Sequence, residues 1–218
     1  MRPQLPHLLE FLTNEQVLML HNSVLQVLGE VGVRVEWQPA LEIFAANQCQ
    51  VDFETRVVRI PPEVLERALE TSPREFTLHA INPENNIQVT LNDIYTIAGS
   101  SALNVLDLES IHRPATLQDL GDFTRLVDGL PMANIMHAMV IPQDIPQSGF
   151  DRILFATIMN NTTKHYYSQG QGGSSVKDQV DLASIIQGGT QAVAEQPCFS
   201  FVICLNSPLC IPRSGCRK

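Results

Sequence analysis

The chain has 218 residues, of which 44% are hydrophobic and 17% are charged, and its formal net charge is -9. This composition is typical of a globular protein with one large domain, or with one domain and a smaller one. It argues against nucleic-acid binding, because an acidic chain without a basic stripe repels a phosphate backbone. No apolar run approaches the roughly 18 residues of a membrane helix. The opening residues also lack a secretory signal, so we expect a cytoplasmic protein without a membrane partner.

The first 92 residues predict a small mixed α/β region without evident chemistry. Thr13 and Gln16 have the spacing of a capping box, and Gly32 suits the end of the helix that follows. Apolar residues recur at helical spacing between them, namely Val17, Leu20, Val24, Leu25, Leu28 and Val31. Further helices are predicted at 39–46 and 63–70, and extended segments at 33–35, 51–53, 57–60, 76–80 and 87–91.

Residues 93–209 predict a more regular region of about four strand-and-helix units. The predicted strands are 94–98, 134–141, 164–168 and 199–205, and the predicted helices are a Thr116-capped helix, 150–159 and a helix that begins at Ser175. This alternation favours right-handed βαβ units and a parallel sheet. Residues 210–218 form a separate tail without helical period.

Polar residues and glycines gather at or near the carboxyl ends of these strands, where barrels and open sheets bind their ligands. The candidate substrate-binding residues are Gly99, Ser100, Ser101, His137, Gln143, His165, Tyr167, Gln169 and Asn206. His137 points either into a pocket or into the core as a hydrogen-bonded histidine. One of the adjacent Tyr166 and Tyr167 must face inward, which predicts an aromatic wall.

Other patterns have more ordinary interpretations. The glycine-rich segment 170–173 lacks the lysine and the spacing of a phosphate-binding loop, which favours a loop over the mouth of the sheet. Residues 99–101 either present N–H groups to a ligand or form a tight turn. Asp107 and Glu109 indicate a solvated loop or hairpin rather than a catalytic pair. The five cysteines form no C-x-x-C pair, so we expect buried, reduced thiols and no metal.

Several segments carry a resemblance to a known family. They are residues 29–35 (GEVGVRV), 59–65 (RIPPEVL), 76–79 (FTLH), 104–109 (NVLDLE), 113–120 (RPATLQDL) and 161–164 (NTTK). In this order they resemble the N-terminal region of the trimethylamine methyltransferase family, from about Leu18 to Leu209. The resemblance implies an α/β fold with a partial (β/α)8 TIM barrel of about four units, preceded by the small α/β region.

The resemblance also implies an activity. Members of the family transfer a methyl group from trimethylamine, or from a quaternary amine such as glycine betaine, to the cobalt of a corrinoid (cobalamin) carried by a partner protein. Such a substrate is held by aromatic faces and carboxylates, and its transfer to Co(I) needs in-line approach more than acid–base catalysis. Some members use a pyrrolysine, whose position lies downstream of these residues, so the resemblance assigns no catalytic residue here.

After Leu209 the sequence shows no family pattern, which favours a frameshift or an early stop over a natural short variant. Four barrel units leave open sheet edges, so we expect poor solubility or homo-oligomers. Two alternatives remain: a non-catalytic truncated paralogue that binds a corrinoid protein or a full-length partner, and an unrelated open-sheet binding protein.

Overall fold

The structure, a computed structural model, describes residues 11–90, 93–99, 101–170, 173–202 and 209–212. The described residues form two compact units. The first contains the residues up to Arg74 together with 209–212, and the second runs from Glu75 to Val202. Both units mix helices with strands, and none of the sheets formed by the described residues is closed.

The helices and strands are short. The helices are α1 (Asn14–Gln26), α2 (Gln38–Ala46), α3 (Pro62–Thr71), α4 (Leu117–Asp128), α5 (Phe150–Met159), α6 (Gly173–Gln187) and α7 (Thr190–Glu195). The strands are β1 (Val33–Val35), β2 (Gln50–Asp52), β3 (Val57–Arg59), β4 (Phe76–Leu78), β5 (Ile87–Val89), β6 (Asn104–Leu106), β7 (His112–Pro114), β8 (Ile135–Met136), β9 (His165–Ser168), β10 (Phe199–Phe201) and β11 (Cys210–Ile211). A π-helical turn (Val27–Val31) extends α1, and a 3-10 turn (Pro83–Asn85) precedes β5.

The first unit is built on a four-stranded sheet in the order β11-β1-β3-β2. β3 is antiparallel to β1 and β2, whereas β11 is parallel to β1. Its core consists of Val35, Leu41, Cys49 and Val58. The predicted capping box of α1 is confirmed, since the Thr13 side chain and the Gln16 side chain each bond the other's backbone N–H.

The second unit contains the parallel sheet. Its order is β10-β9-β8, and Ile97 adds an isolated parallel bridge to Ile135. The prediction of a regular strand at 94–98 is therefore wrong, because only Ile97 pairs. The predicted strand 134–141 is also too long. The strand β8 ends at Met136, and beyond it only Val140 pairs, in an isolated parallel bridge with Ala102. Ser101, next to Ala102, has a left-handed φ of 64°, which interrupts the extended backbone between the two bridges.

Helices cover one face of the parallel sheet. α4 packs on β8 and α5 on β9, with α5 between α4 and α6. Phe155 of α5 is fully buried, and its ring centroid lies 5.6 Å from that of Tyr166 and 5.0 Å from that of Phe199. The predicted helix 150–159 is confirmed, whereas α6 begins at Gly173 rather than at Ser175.

The segment 104–120 folds as a hairpin joined to a capped helix. β6 and β7 are antiparallel, and Asp107 accepts hydrogen bonds from the N–H groups of Glu109 and Ile111 in the turn. The hairpin interpretation of Asp107 is thereby confirmed. The Arg113 guanidinium donates to both carboxylate oxygens of Asp119, at 2.7 and 2.9 Å, while Asp119 also accepts from the Thr116 N–H. These bonds hold the pKa of Asp119 well below its usual range.

Replacing Asp119 by alanine is expected to lower the unfolding free energy by about 1–2 kcal/mol at pH 7, because the capping box and the ion pair are both lost. The pKa of Asp119 is lower in the folded state than in the unfolded chain. Its stabilisation is therefore complete above pH about 4 and declines as the pH falls below that value. Urea denaturation followed by circular dichroism at pH 7, 5 and 3.5 tests this.

The matched control is Asp122→Ala on the same helix, whose carboxylate pairs with Arg125 at the exposed surface. We expect the control to change the unfolding free energy by less than about 0.5 kcal/mol. Equal effects of the two substitutions, or an Asp119→Ala variant that loses as much stability on acidification as the unmodified protein, would contradict the assignment.

Candidate functional site

The strand registers place four polar side chains on the same face of the parallel sheet. In the paired strands, His165 lies opposite Ile135, and Ser200 lies opposite Tyr167. Side chains alternate along a strand, so His165, Tyr167 and Ser200 share one face, while Tyr166 turns to the helices. The ring contact between His137 and Tyr167 puts His137 on that face as well. We call the face that carries these four residues the site face.

His137 and Tyr167 are the predicted site residues that the structure brings together. Their ring centroids are 5.8 Å apart at an interplanar angle of 53°. His137 is buried, with Nδ1 3.2 Å from the Ala138 carbonyl oxygen, whereas Tyr167 is only partly buried. The geometry offers an aromatic face beside an imidazole, which is chemistry suited to a ligand cation. A role in substrate binding stays a prediction for both residues.

His165 is held by the protein on both sides of its ring. Nδ1 lies 2.7 Å from the His79 carbonyl oxygen, and Nε2 lies 2.9 Å from Ser200 Oγ. A carbonyl only accepts, so Nδ1 carries the proton and Nε2 accepts from the Ser200 hydroxyl. Burial lowers the pKa of His165 against the opposing effect of the His79 carbonyl, which favours this neutral form. With both ring nitrogens engaged, His165 positions β9 and β10.

The other predicted residues are arranged differently. The Ser101 N–H donates to the Ala138 carbonyl at 2.9 Å, so it is not free for a ligand. The exposed Gln143 turns its amide back onto the Ile141 carbonyl at 2.8 Å. Gly99 and Gln169 are exposed beyond the strand ends. Ser100 and Asn206 lie outside the described residues.

A buried polar network, missed by the sequence analysis, supports the carboxyl end of β9. Gln179 of α6 accepts from the Ser168 hydroxyl at 2.6 Å and donates to the Gln169 carbonyl at 3.0 Å. Its amide also donates to Ser175 Oγ, and the Ser175 hydroxyl donates to Asp151 at 2.6 Å. Ser175 and Gln179 are four residues apart on α6. This spacing of two polar residues on one side of a helix, among apolar neighbours, is the signal in the sequence that could have indicated the network.

The segment NTTK at 161–164 lies at the opposite end of β9. Lys164 is buried, and its ammonium donates to the carbonyls of Val127 and Leu130, both at 2.8 Å, at the end of α4. Burial lowers the pKa of Lys164, and Asp128 opposes that shift. Asp128 in turn accepts from the Thr162 hydroxyl and the Thr163 N–H. This segment therefore joins structural elements and is separate from the site face.

Other kinds of site find little support in the described residues. Within the described residues, no three histidine, cysteine or acidic side chains gather as metal ligands. Cys49 and Cys198 are free and buried, as predicted, whereas Cys210 is only partly buried. Burial raises the pKa of the Cys198 thiol to about 11. Among the helices that the structure describes, none has both the length and the apolar character required to cross a bilayer.

Comparison with known proteins identifies the class. Residues 3–216 match the family described as Trimethylamine methyltransferase (MTTB). The match extends past Leu209, where the resemblance seen in the sequence ended. The chain is 33% identical over 198 residues to trimethylamine methyltransferase MttB of Desulfitobacterium hafniense (strain DSM 10664 / DCB-2), covering 90% of this chain and 40% of that protein.

Two further relatives match the chain with similar identity and coverage. Glycine betaine methyltransferase of Desulfitobacterium hafniense (strain Y51) is 32% identical over 199 residues, covering 91% of this chain and 41% of that protein. Trimethylamine methyltransferase MttB of Methanosarcina thermophila is 28% identical over 216 residues, covering 96% of this chain and 44% of that protein. The chain thus spans roughly two fifths of the length of these relatives. It belongs to the trimethylamine methyltransferase family.

Proposed function

We propose that the parallel sheet of the second unit is the beginning of a (β/α)8 barrel. Ile97, β8, β9 and β10 are parallel neighbours in chain order, and a helix follows each of the first three. An open doubly wound sheet would instead reverse its strand order at a switch point. In a barrel the site face would be the interior, and His137 and Tyr167 would lie toward the carboxyl ends of the strands, where barrels carry active sites.

We further propose that the chain contributes to a site for a methylated amine, whose methyl group passes to a corrinoid on a partner protein. The observation that carries this proposal is the partly exposed Tyr167 ring beside His137 on the site face, in a chain of a methyltransferase family. A quaternary ammonium has no N–H to donate, so it is recognised by an aromatic face. Both a trimethylamine and a glycine betaine methyltransferase are among the relatives, which leaves both amines as candidate substrates.

The proposed methyl transfer depends little on general acid–base catalysis. The corrinoid, a co-substrate carried by the partner, supplies the electron pair of Co(I) for a new cobalt–carbon bond. The nitrogen–methyl bond breaks as the amine leaves with that bond's electron pair. The protein's task is to hold the methyl carbon in line and to exclude water, and Tyr167 would fix the ammonium end for that approach. The free buried thiols of Cys49 and Cys198 support a cytoplasmic location for this reaction.

Replacing Tyr167 by alanine is expected to weaken the binding of glycine betaine or trimethylammonium about 10-fold. The expected loss is that of one cation–π contact, about 1.4 kcal/mol of binding free energy. Calorimetric titration of the chain with each ligand measures the effect. Tyr167→Phe keeps the aromatic face and should bind within about 3-fold of the unmodified chain.

The outcome against the site is equal binding by Tyr167→Ala and Tyr167→Phe. Methyl transfer to Co(I) cobalamin is a separate test, best made with a full-length family member in which the tyrosine corresponding to Tyr167 is replaced. Transfer that this replacement leaves unchanged would contradict the role of Tyr167, and lack of transfer from every methylated amine by the unmodified family member would contradict the enzymatic proposal. All three of these relatives bear methyltransferase names, so the non-catalytic alternative is not favoured.

A further inference from the structure

The strand segment that carries Tyr167 is paired on one side only. β8 ends at Met136, which lies opposite Tyr166, so the described ladder on that side of β9 stops one residue before Tyr167. On the other side β10 continues the ladder, and the Val202 N–H donates to the Ser168 carbonyl at 2.9 Å. The end of a strand opens more easily than its middle, so the direction of the Tyr167 ring depends on what else holds this segment.

Gln179 of α6 provides a second anchor for the end of β9. Its side-chain oxygen accepts from the Ser168 hydroxyl at 2.6 Å, and its side-chain nitrogen donates to the Gln169 carbonyl at 3.0 Å. One carboxamide therefore bonds two successive residues at the point where β9 ends. We call these two bonds the Gln179 clamp. Gln179 is 1% exposed, so water does not compete for them.

The chain that follows the clamp passes close to its neighbours. Gly170 is buried, and a Cβ at this position would lie 2.8 Å from Val176 Cγ2 of α6 and 3.5 Å from Phe201 Cε1 of β10. The backbone therefore packs closely against both elements. Val176 and Gln179 are three residues apart, so they lie on the same side of α6. That side of α6 holds the end of β9 by contact as well as by hydrogen bonds.

We propose that Gln179 is a positioning residue for the amine site, where its clamp fixes the direction of the Tyr167 ring. Ser168 adjoins Tyr167, and successive side chains of a strand point to opposite faces, so a rotation of the backbone at Ser168 turns the Tyr167 ring as well. Ser168 and Gln179 lie on the helix side of the sheet, so Gln179 acts through the strand and not by touching a ligand. This inference rests on the proposed amine site at Tyr167.

The two ends of the carboxamide make Gln179→Glu an informative substitution. A carboxylate of the same shape can still accept from Ser168, but it cannot donate to the Gln169 carbonyl and repels it. Once protonated, the carboxyl group can donate again, and burial favours that neutral form. The variant therefore lacks the clamp at high pH and regains it at low pH. Gln179→Met has a similar size and no group that could restore the clamp.

The first test is calorimetric titration of the whole chain with glycine betaine, after circular dichroism has shown that each variant is folded. At about pH 8, Gln179→Glu should bind about 3-fold to 10-fold more weakly than the unmodified chain, the upper figure being the loss expected for Tyr167→Ala. At about pH 5.5 its affinity should return to within about 2-fold of the unmodified chain at that pH, whereas Gln179→Met should stay weak at both pH values. In a Tyr167→Ala background, Gln179→Glu should cause no further loss.

Gln187→Glu is the matched control at the last residue of α6. The Gln187 amide donates to the Gln196 carbonyl at 2.8 Å, so the same substitution breaks the same kind of bond away from β9. Its affinity for glycine betaine should stay within about 2-fold of the unmodified chain at both pH values.

The second test needs no ligand and follows amide hydrogen exchange by NMR. The Val202 N–H, which bonds the Ser168 carbonyl, should exchange at least about 10-fold faster in Gln179→Glu than in the unmodified chain at about pH 8, and at an unchanged rate in Gln187→Glu. Three results would overturn the proposal: unchanged exchange, faster exchange with unchanged affinity, or an equal loss of affinity in the Tyr167→Ala background. If the unmodified chain bound no amine while exchange responded as expected, the proposed amine site would be wrong and the clamp would not.

Discussion

Replacing Phe155 by alanine should lower the unfolding free energy by about 3–5 kcal/mol, which is a large part of the stability of a typical domain. The Phe155 side chain has no exposed surface and stands between the parallel sheet and α5. Its ring meets Phe199 edge-on and Tyr166 at a tilt, so both aromatic contacts are lost with it. Urea denaturation followed by circular dichroism measures the change.

Leu126→Ala is the matched control, because Leu126 is 58% exposed on α4. Its loss should cost less than about 0.5 kcal/mol. A Phe155→Ala variant within about 1 kcal/mol of the unmodified chain would mean that the aromatic cluster between α5, β9 and β10 does not hold the second unit together. The Phe155→Leu variant should have an unfolding free energy between those of Phe155→Ala and the unmodified chain, because leucine removes less volume than alanine does.

Elements set by neighbouring residues were predictable from the sequence. The capping boxes at Thr13 and Thr116 lie within four residues, and both are present in the structure. Strand pairing depends on distant residues, and there the prediction was weaker: the apolar run at 94–98 yields a single bridge. The short helix α7 escaped prediction, because its six residues contain one buried side chain and show no helical period.

The candidate site was predictable only as a set of positions. The sequence indicated that one of the two adjacent tyrosines faces inward; in the structure Tyr166 packs against Phe155 of α5, and Tyr167 lies on the site face. It could not show that His165 bonds His79 and Ser200, which lie 86 and 35 residues away along the chain. Gln179 was missed for the same reason, since its partners at the end of β9 come from another element.

The segments that made the family recognisable are largely structural in this chain. Arg113 and Asp119 fix the start of α4, and Lys164 caps its end. These residues fix the two ends of α4, the helix that packs on β8. Tyr167, the proposed contact for a ligand, lies outside the recognisable segments. The residues that carry the family resemblance therefore differ from those of the proposed substrate site.

A single methyl group at Gly32 should destabilise the first unit by more than about 2 kcal/mol. Gly32 ends the π-helical turn with φ of 81°, a conformation that side chains with a Cβ disfavour. A Cβ at this position would lie 2.4 Å from the Val58 carbonyl oxygen, which belongs to the backbone of β3 and cannot rotate away. Gly32→Ala therefore strains the backbone and forces β1 and β3 apart.

Gly29 provides a control of opposite sign three residues earlier. A Cβ at Gly29 would lie 3.7 Å from the Ile60 carbonyl oxygen, an ordinary contact, within a helical turn that alanine favours. Gly29→Ala should raise the unfolding free energy by about 0.4–1 kcal/mol, because it restricts the unfolded chain. Thermal denaturation of both variants measures the difference. If Gly32→Ala matched Gly29→Ala, the β1–β3 pairing could not be as close as the 2.4 Å approach requires.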